Sequence, residues 1–454
     1  MTLIQSASLL ITPTGFKVGD IYTAIPNNTT SGDFQFVRNS SGYVFTSQSQ
    51  FVTRSVDVPR LTYNSGSTYP STLIERQSLN EIGLSGTPYV TASSANKAWR
   101  DGIDYLLQTQ SIAPIAGLPA TRFTYTGSRA GTAGTGGSDI TGSLAYRLGP
   151  LSGSGYYTLS TVVRQGNVRN LWMYLSSFVW ATGSATTGLS NPQIAFDFES
   201  RIFTSTFDSK YYTASYEKLD NTASYKLNIT FNHSGSGTSR FIYLAPTTGS
   251  GTLNNRRYLS ASFYHDLAYL QLERGFGSTS YIETPNSESV TRTADSLFRT
   301  SSSDLIGQQE GTIYVQANLP TAPISASNPI ILGLSYPIPA GGAGPFVYIS
   351  REESSQIAVH VSGSTPTGDT VILTSPLSYS GSVRVAVAYS SSNSKLYING
   401  AQVATNTSTL TFGNPLSRID VGSWYSGQQG DASIDYAALW KTRLTDSQLV
   451  EITS

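Results

Sequence analysis

Cysteine is missing from all 454 residues, which excludes disulfides, thiolate zinc sites and a cysteine nucleophile. Charge is scarce as well: Asp, Glu, Lys and Arg together make 12% of the chain, about half the ordinary share of ~25%. The 28 Lys and Arg balance the 28 Asp and Glu, and no basic run occurs. The positive field that nucleic-acid binding exchanges for counterions is therefore lacking, and so is a polybasic membrane anchor. No apolar stretch approaches the roughly 20 residues of a membrane-spanning helix. The start, Met1-Thr2-Leu3-Ile4-Gln5, has no positive n-region, the first basic residue being Lys17. The expectation is a chain folded in the cytosol, with no nucleic-acid partner and no membrane insertion.

Aromatic and small neutral residues fill the space that charge leaves. Hydrophobic residues make 39%, with 28 Tyr and 18 Phe spread along the chain, while Ser, Thr, Asn, Gln and Gly carry the polarity. Small polar residues on strand exteriors, with aromatics alternating inward, describe an uncharged all-β protein. The length exceeds one compact core and predicts roughly two to four domains. Zero net charge also removes protection against self-association, which suits a protein held in an assembly.

Period-two alternation is the commonest pattern. Residues 1–90 read as a small β-rich leader, with strands at Asp33–Arg38, Tyr43–Thr46, Leu61–Tyr63 and Ser71–Glu75. Ala95–Leu107 is open between a helix and a loop leading into a strand. From Pro119 to Glu273 strands recur at the spacing of an antiparallel sandwich. A final domain runs from Gly311 to the end, with strands at Gly311–Ala317, Phe346–Ile349, Ile357–Val361, Val383–Tyr389, Lys395–Ile398 and Ile434–Trp440. Asn399-Gly400 suits a hairpin whose two turn residues both take positive φ. The last strand is expected to pair beside the first, with Ile434, Tyr436 and Ala438 on one face and Asp435, Ala437 and Leu439 on the other. A short helix, Asp446–Ile452, follows with Thr445 as its cap.

Three stretches carry a resemblance to modular phage tail and fibre proteins. Val58-Pro59-Arg60-Leu61-Thr62-Tyr63 with Ser71-Thr72-Leu73-Ile74-Glu75-Arg76-Gln77 resembles the leader of such proteins. Leu270-Gln271-Leu272-Glu273-Arg274-Gly275, Thr279-Ser280-Tyr281-Ile282 and Thr291-Arg292-Thr293-Ala294-Asp295 are similar to the last strand and exit of a carbohydrate-binding-type jelly roll. Lys395-Leu396-Tyr397-Ile398-Asn399-Gly400, Ile434 to Trp440 and Arg443-Leu444-Thr445-Asp446-Ser447-Gln448-Leu449 resemble the laminin-G or concanavalin-A-like family. The resemblance implies three regions: a leader at 1–90 for attachment, a jelly roll at 91–290 and a lectin-type β-sandwich at 291–454. It further implies a virion-surface fibre or decoration protein, a homo-oligomer (trimer or dimer), partnered by other virion proteins and by host cell-surface polysaccharide.

Catalytic chemistry is thinly represented. Glycan hydrolysis needs paired carboxylates, and the local pairs are Asp197 with Glu199 and Glu352 with Glu353; solvated surface carboxylates are the favoured reading of both. His233, His265 and His360 are scattered singly, and His265-Asp266 lacks a second ligand or nucleophile at a recognisable spacing. The expectation is a protein that is not an enzyme. Calcium is the one metal considered, with Asp369, Asp420 and Asp431 near strand ends, and turn capping is favoured over ligation. Aromatics are the stronger clue, because sugar rings stack C–H faces on Trp and Tyr. Gly422-Ser423-Trp424-Tyr425-Ser426-Gly427-Gln428-Gln429 sets Trp424 and Tyr425 in a loop with the amide of Gln428, a carbohydrate-binding candidate that competes with loop packing or a subunit interface. Trp440, Trp172, Tyr174 and Trp180 are assigned to core packing. Glycan recognition on a virion is the favoured function, ahead of a purely structural virion role and, last, a glycan-degrading enzyme.

Overall fold

Alternating sequences become strands throughout. The computed structural model describes residues 3–18, 21–24, 34–64, 67–83, 85–86, 98–101, 106–109, 112–125, 144–148, 151, 153–176, 178–180, 189–190, 192–205, 209–220, 222–234, 240–247, 262–285, 288–320, 329–336, 345–352, 355–363, 370–424 and 428–454. Among the described residues the only α-helix is Asp446–Thr453. The chain divides into two units, one formed by Met1–Ser47, Thr53–Gln77 and Arg292–Ser454, the other by Gln48–Val52 and Ser78–Thr291.

Unit 1 is a sandwich of two antiparallel sheets. One runs in the order Ile21–Ala24, Gly15–Val18, Leu9–Thr12, Ala432–Trp440, Glu310–Leu319, Gly381–Ser390, Ser394–Ile398 and Ala401–Asn406, with Ser71–Ile74 also paired to Ala432–Trp440. The other runs Thr370–Ser378, Gln356–Ser362, Phe346–Arg351, Ile330–Ser335, Arg418–Val421, Ser296–Arg299 and Gln35–Val37. Val, Leu and Ile from alternate positions meet between the sheets, among them Val315, Val385, Leu332, Val347, Val359 and Val421.

The segment expected to be a separate leader is built into this sandwich. Leu9–Ile11 pairs with Ala437–Leu439, Gln35–Val37 pairs with Ser296–Phe298, and Leu9, Ile11, Phe34, Phe36 and Ile74 are core residues. The boundary near residue 90 is thus replaced by strand pairings that span the chain. A buried ionic network explains them. Arg60 bonds Glu75 at 2.5 Å and also Asp295; Arg292 bonds Glu75 at 2.6 Å; Arg38 bonds Asp295 at 3.3 Å. All three arginines are fully buried. The main chain joins in, Glu75 N–H donating to Asp295 Oδ2 at 2.8 Å and Asp295 N–H to Glu75 O at 2.9 Å. Arg76 then holds Asp431 through its main-chain N–H, at 2.7 Å, and through its guanidinium.

Local expectations at the C-terminal end hold. Asn399 and Gly400 take φ of 48° and 81°, the last strand pairs antiparallel with the first, and Thr445 caps the helix in a reciprocal box with Gln448. The face assignment of the last strand is corrected. The register shifts between Gln316 and Ala317, leaving Asp435 as the extra residue of a bulge. Its carboxylate accepts from Ser71 Oγ at 2.7 Å and Gln316 Nε2 at 2.9 Å. Ile434 therefore shares the core face with Ala437 and Leu439, while Tyr436, Ala438 and Trp440 pack on the other side, against the terminal helix and Leu3. Trp440 is buried, its indole N–H reaching Leu3 O at 3.3 Å.

Unit 2 is a jelly-roll-like pair of antiparallel sheets. Ala98–Asp101, Leu144–Leu148, Arg240–Thr247, Asn170–Ser176, Gln193–Asp197 and Ile202–Ser205 form one; the other is centred on Tyr264–Arg274, Gly155–Arg164 and Ser224–His233. The stretch left open between helix and loop contains two strands, Ala98–Asp101 and Leu106–Thr109. Glu273, fully buried, accepts from Gln271 Nε2 at 2.7 Å, Thr279 N–H at 2.9 Å and the hydroxyls of Ser78 and Thr279, so its charge is met by donors rather than by a cation.

Breaking one partner of a buried ion network costs more than the pair contributes, because the remaining charge stays buried. Arg60→Met is expected to destabilise unit 1 by about 3–5 kcal/mol in urea unfolding of the full chain, and Arg60→Lys to recover little, since an ammonium does not bridge two carboxylates as a guanidinium fork does. A loss below about 1 kcal/mol, the range of an exposed pair, would show the network to be dispensable.

Candidate functional site

One face of the seven-stranded sheet in unit 1 carries aromatic rings. Val347, Ile349, Val359 and Val361 point into the core, so the alternate residues Phe346, Tyr348 and His360 point out. Register places Tyr348 opposite Gly333 on one side and His360 on the other, with His360 opposite Ile372. Ring centroids are 5.1 Å apart for Phe346 and Tyr348 and 4.7 Å for Tyr348 and His360, both pairs stacked.

Trp424 joins this row from the loop after Arg418–Val421. A Cβ added to Gly333 would lie 2.7 Å from Trp424 Cζ3, so the indole rests directly on the Gly333 backbone. From there it meets Tyr348 edge-on at 5.2 Å and Phe346 at 6.1 Å. Gly422, two residues earlier, has φ +70° and would bring a Cβ to 2.7 Å from the side chain of Ile74, so only glycine serves at the point where the loop leaves the sheet. Phe346, Tyr348, His360 and Trp424 are half-buried, and Ile372 at the far end is 54% exposed.

Polar groups edge the row. Glu352 Oε1 lies 3.5 Å from His360 Nε2 and accepts from Ser350 Oγ at 3.1 Å. Burial holds His360 below its ordinary pKa against the opposing pull of Glu352, so the imidazole is neutral at pH 7. Burial, with Glu352 nearby, pushes the Tyr348 phenol up to about 12, so it stays protonated and able to donate. Ser350 is itself fully buried and serves to hold Glu352. The arrangement offers ring faces and edges, a phenol, an imidazole and one carboxylate, groups suited to holding a polyhydroxylated ring.

Of the predicted site residues, Trp424 stands on this row. Gln428 is exposed at the other end of the loop with φ 50°, its carbonyl accepting from Ile330 N–H at 2.8 Å. Tyr425 lies outside the described residues. Phe346, Tyr348 and His360 were missed; the aromatic pair at i and i+2, with Val and Ile between them, was the signal available.

The other candidates are spoken for structurally. Asp197 bonds Arg169 through Nε at 2.8 Å and caps the N–H groups of Glu199 and Ser200 at 2.9 and 3.1 Å; Arg169 also reaches Glu199 at 2.9 Å. Against the desolvation of partial burial, those donors draw Asp197 down to about 2, far from the raised value of a general acid. Asp420 is gripped by Arg418 at 2.7 and 2.8 Å, Asp431 by Arg76, and Asp369 and Glu353 lie outside the described residues. Among the described residues no three His, Asp or Glu cluster as metal ligands. His233 is buried, edge-on to Tyr157 and Phe178.

Trp172, assigned to core packing, is buried, in a smaller cluster on the opposite face of its sheet from the main core, and Tyr174 packs against that cluster half-buried. Leu171, Met173 and Leu175 take the core positions, and the strand's alternation sends Trp172 and Tyr174 outward. There they continue a ladder, Trp172 to Tyr174 at 5.6 Å, Tyr174 to Tyr243 at 5.5 Å and Tyr243 to Phe241 at 5.8 Å. Trp172 and Tyr243 are only 6% and 7% exposed, and the rings stack on one another, so few faces remain open. The side chain of Trp180 is outside the description.

Residues 276–450 match the concanavalin A-like lectin/glucanases superfamily. The matched span includes six strands of the seven-stranded sheet and five of the ten in the other sheet of unit 1. Solved structures give fainter likenesses. A carbohydrate-binding module of the Ruminococcus gnavus IT-sialidase is 16% identical over 33% of this chain and 84% of its own, with a TM-score of 0.27. Domain 4 of the arabinanase AbnA from Geobacillus stearothermophilus, solved with arabinotriose, is 15% identical over 39% and 82%, with a TM-score of 0.27. A putative carbohydrate binding protein from Bacteroides ovatus is 10% identical over 65% and 79%, with a TM-score of 0.25. Likeness at this level carries no function across. No curated protein matches the chain.

His265, the remaining candidate, gives a pH prediction. Its Nδ1 accepts from Gly166 N–H at 3.1 Å and its Nε2 lies 2.9 Å from Asn170 O, a neutral ring with both nitrogens used. Burial lowers its pKa to about 4. The unfolded chain, with a pKa near 6.5, therefore binds the proton first. Stability from this site is complete above about pH 6.5 and is lost as pH falls toward 4, by about 3 kcal/mol. Urea unfolding at pH 7.5 and 4.5 is expected to show that loss in the native chain and a smaller one in His265→Gln; equal losses would contradict it.

Proposed function

We propose that the chain recognises glycans, with sugar rings packing on the row formed by Trp424, Phe346 and Tyr348. The observation that carries this reading is the seating of Trp424. A large aromatic residue leaves the loop, rests on a glycine backbone and meets two further rings on an outward sheet face, with Glu352 and His360 at the edge. A face built for packing alone has no need of this polar margin. The lectin-type match over residues 276–450 supports the same reading.

Binding of this kind is weak per site and gains strength from many copies. A virion-surface fibre or decoration protein in which copies assemble as a homo-oligomer is the setting we propose, on the resemblance of the three motif stretches. Host cell-surface polysaccharide is then the ligand class. With residues 9–11 and 35–37 paired into unit 1, attachment to other virion proteins is proposed to use surfaces of the folded units.

Loss of one aromatic contact costs roughly 1.4 kcal/mol, about ten-fold in affinity. Full-chain Trp424→Ala is therefore expected to bind at least about ten-fold more weakly than the native protein on glycan arrays or host cells. Tyr69→Ala, at a side chain 78% exposed elsewhere, serves as the control and is expected to bind normally. Native-like binding by Trp424→Ala, or no binding by the native chain, would remove the reading.

A further inference from the structure

Among the described residues of unit 1 the buried charges do not balance. Arg38, Arg60 and Arg292 share Glu75 and Asp295, and Arg76 takes Asp431. One more guanidinium, Arg351, remains. It ends the strand Phe346–Arg351 on the inward side, in register with the core residue Ile357, and it is fully buried. Its Nη2 donates to Ser355 Oγ at 3.0 Å, while Nε and Nη1 meet no acceptor. The carboxylate acting on it is that of Asp431, already held by the main chain and guanidinium of Arg76. Burial with so little compensation draws Arg351 down to about 10.

A further buried donor lies in a segment packed on the same short stretch, Pro329 to Ile331. Arg351 N–H donates to Pro329 O at 2.9 Å. Ser423 follows Gly422, whose N–H donates to Ile331 O at 2.8 Å; it is fully buried and its Oγ is unpartnered. A buried cation and a hydroxyl are thus unspent around one stretch of backbone. Groups of this kind are costly when left unmet, and what they lack in common is an acceptor carrying negative charge.

We propose that a small monovalent anion, chloride in ordinary solution, binds beside Arg351 and completes this part of the unit 1 interior. The site lies on the inward face of the sheet whose outward face carries Trp424, so it is a stabilising anion site independent of the glycan reading. Ligand that binds only the folded state raises its stability with concentration.

The test is thermal unfolding of the full chain in sodium chloride and in sodium gluconate, whose anion is too bulky for a buried site, at equal ionic strength. The native chain is expected to melt higher in chloride, increasingly with concentration, and Arg351→Met to show no difference between the salts. Identical melting of the native chain in both salts would overturn the proposal in favour of bound water, and a difference that persists in Arg351→Met would place the anion elsewhere. Should Arg351→Met fail to fold, chloride-35 line broadening by the native chain decides, with Ser423→Ala expected to reduce it. No broadening, or broadening unchanged by Ser423→Ala, would sink the site.

Discussion

The contact between Arg60 and its two carboxylates sets the architecture of unit 1. A guanidinium buried this completely must be compensated, and Glu75 and Asp295 lie 15 and 235 residues away along the chain. The fold therefore closes only when the N-terminal strands and the C-terminal sandwich come together. The consequences reach the outer surface. Ser71–Ile74 pairs with Ala432–Ile434, Ile74 enters the core, and Gly422 has room only for hydrogen where it meets Ile74. The loop that leaves the sheet at Gly422 carries Trp424 two residues later.

The seven-stranded sheet then serves two purposes through simple alternation. Val347, Ile349, Val359 and Val361 build the interior, while Phe346, Tyr348 and His360 between them build the outward row. The same division operates in unit 2, where Leu171, Met173 and Leu175 face the core and Trp172 and Tyr174 face away. The two rows differ in openness. Rings stack in both rows, but in unit 2 Trp172 and Tyr243 are nearly buried, whereas in unit 1 all four rings are half-buried and the indole meets its neighbours edge-on. That difference is why glycan recognition is assigned to unit 1. It also gives a meaning to the low charge of the chain, since a neutral surface reads hydroxyls and ring faces without a long-range field.

Features set by neighbours in sequence were legible from the residues. The Asn399-Gly400 turn and the Thr445 cap follow from local geometry, and the pairing of the last strand with the first, though distant in sequence, was expected from the resemblance of the motifs. Most features set by distant partners were not. Asp435 bulges because it bonds Ser71, 364 residues away, and no alternation pattern announces that. Arg60, Glu75, Arg292 and Asp295 stood out as motif residues, yet their membership of one network required the fold. Trp172 is core as its hydrophobicity suggests, but hydrophobicity does not say on which side of its sheet the cluster lies. For the candidate site, Trp424 was found through its glycine-flanked loop, and Phe346 and Tyr348 were read only as strand.

Hydrogen–deuterium exchange of the full chain, free and saturated with a glycan it binds, tests the central claim most directly. The account predicts added protection in the peptides spanning 346–351, 356–362 and 418–424, with unit 2 unchanged. Protection confined to residues 78–291, or a bound glycan that leaves those three peptides unaltered, would contradict it.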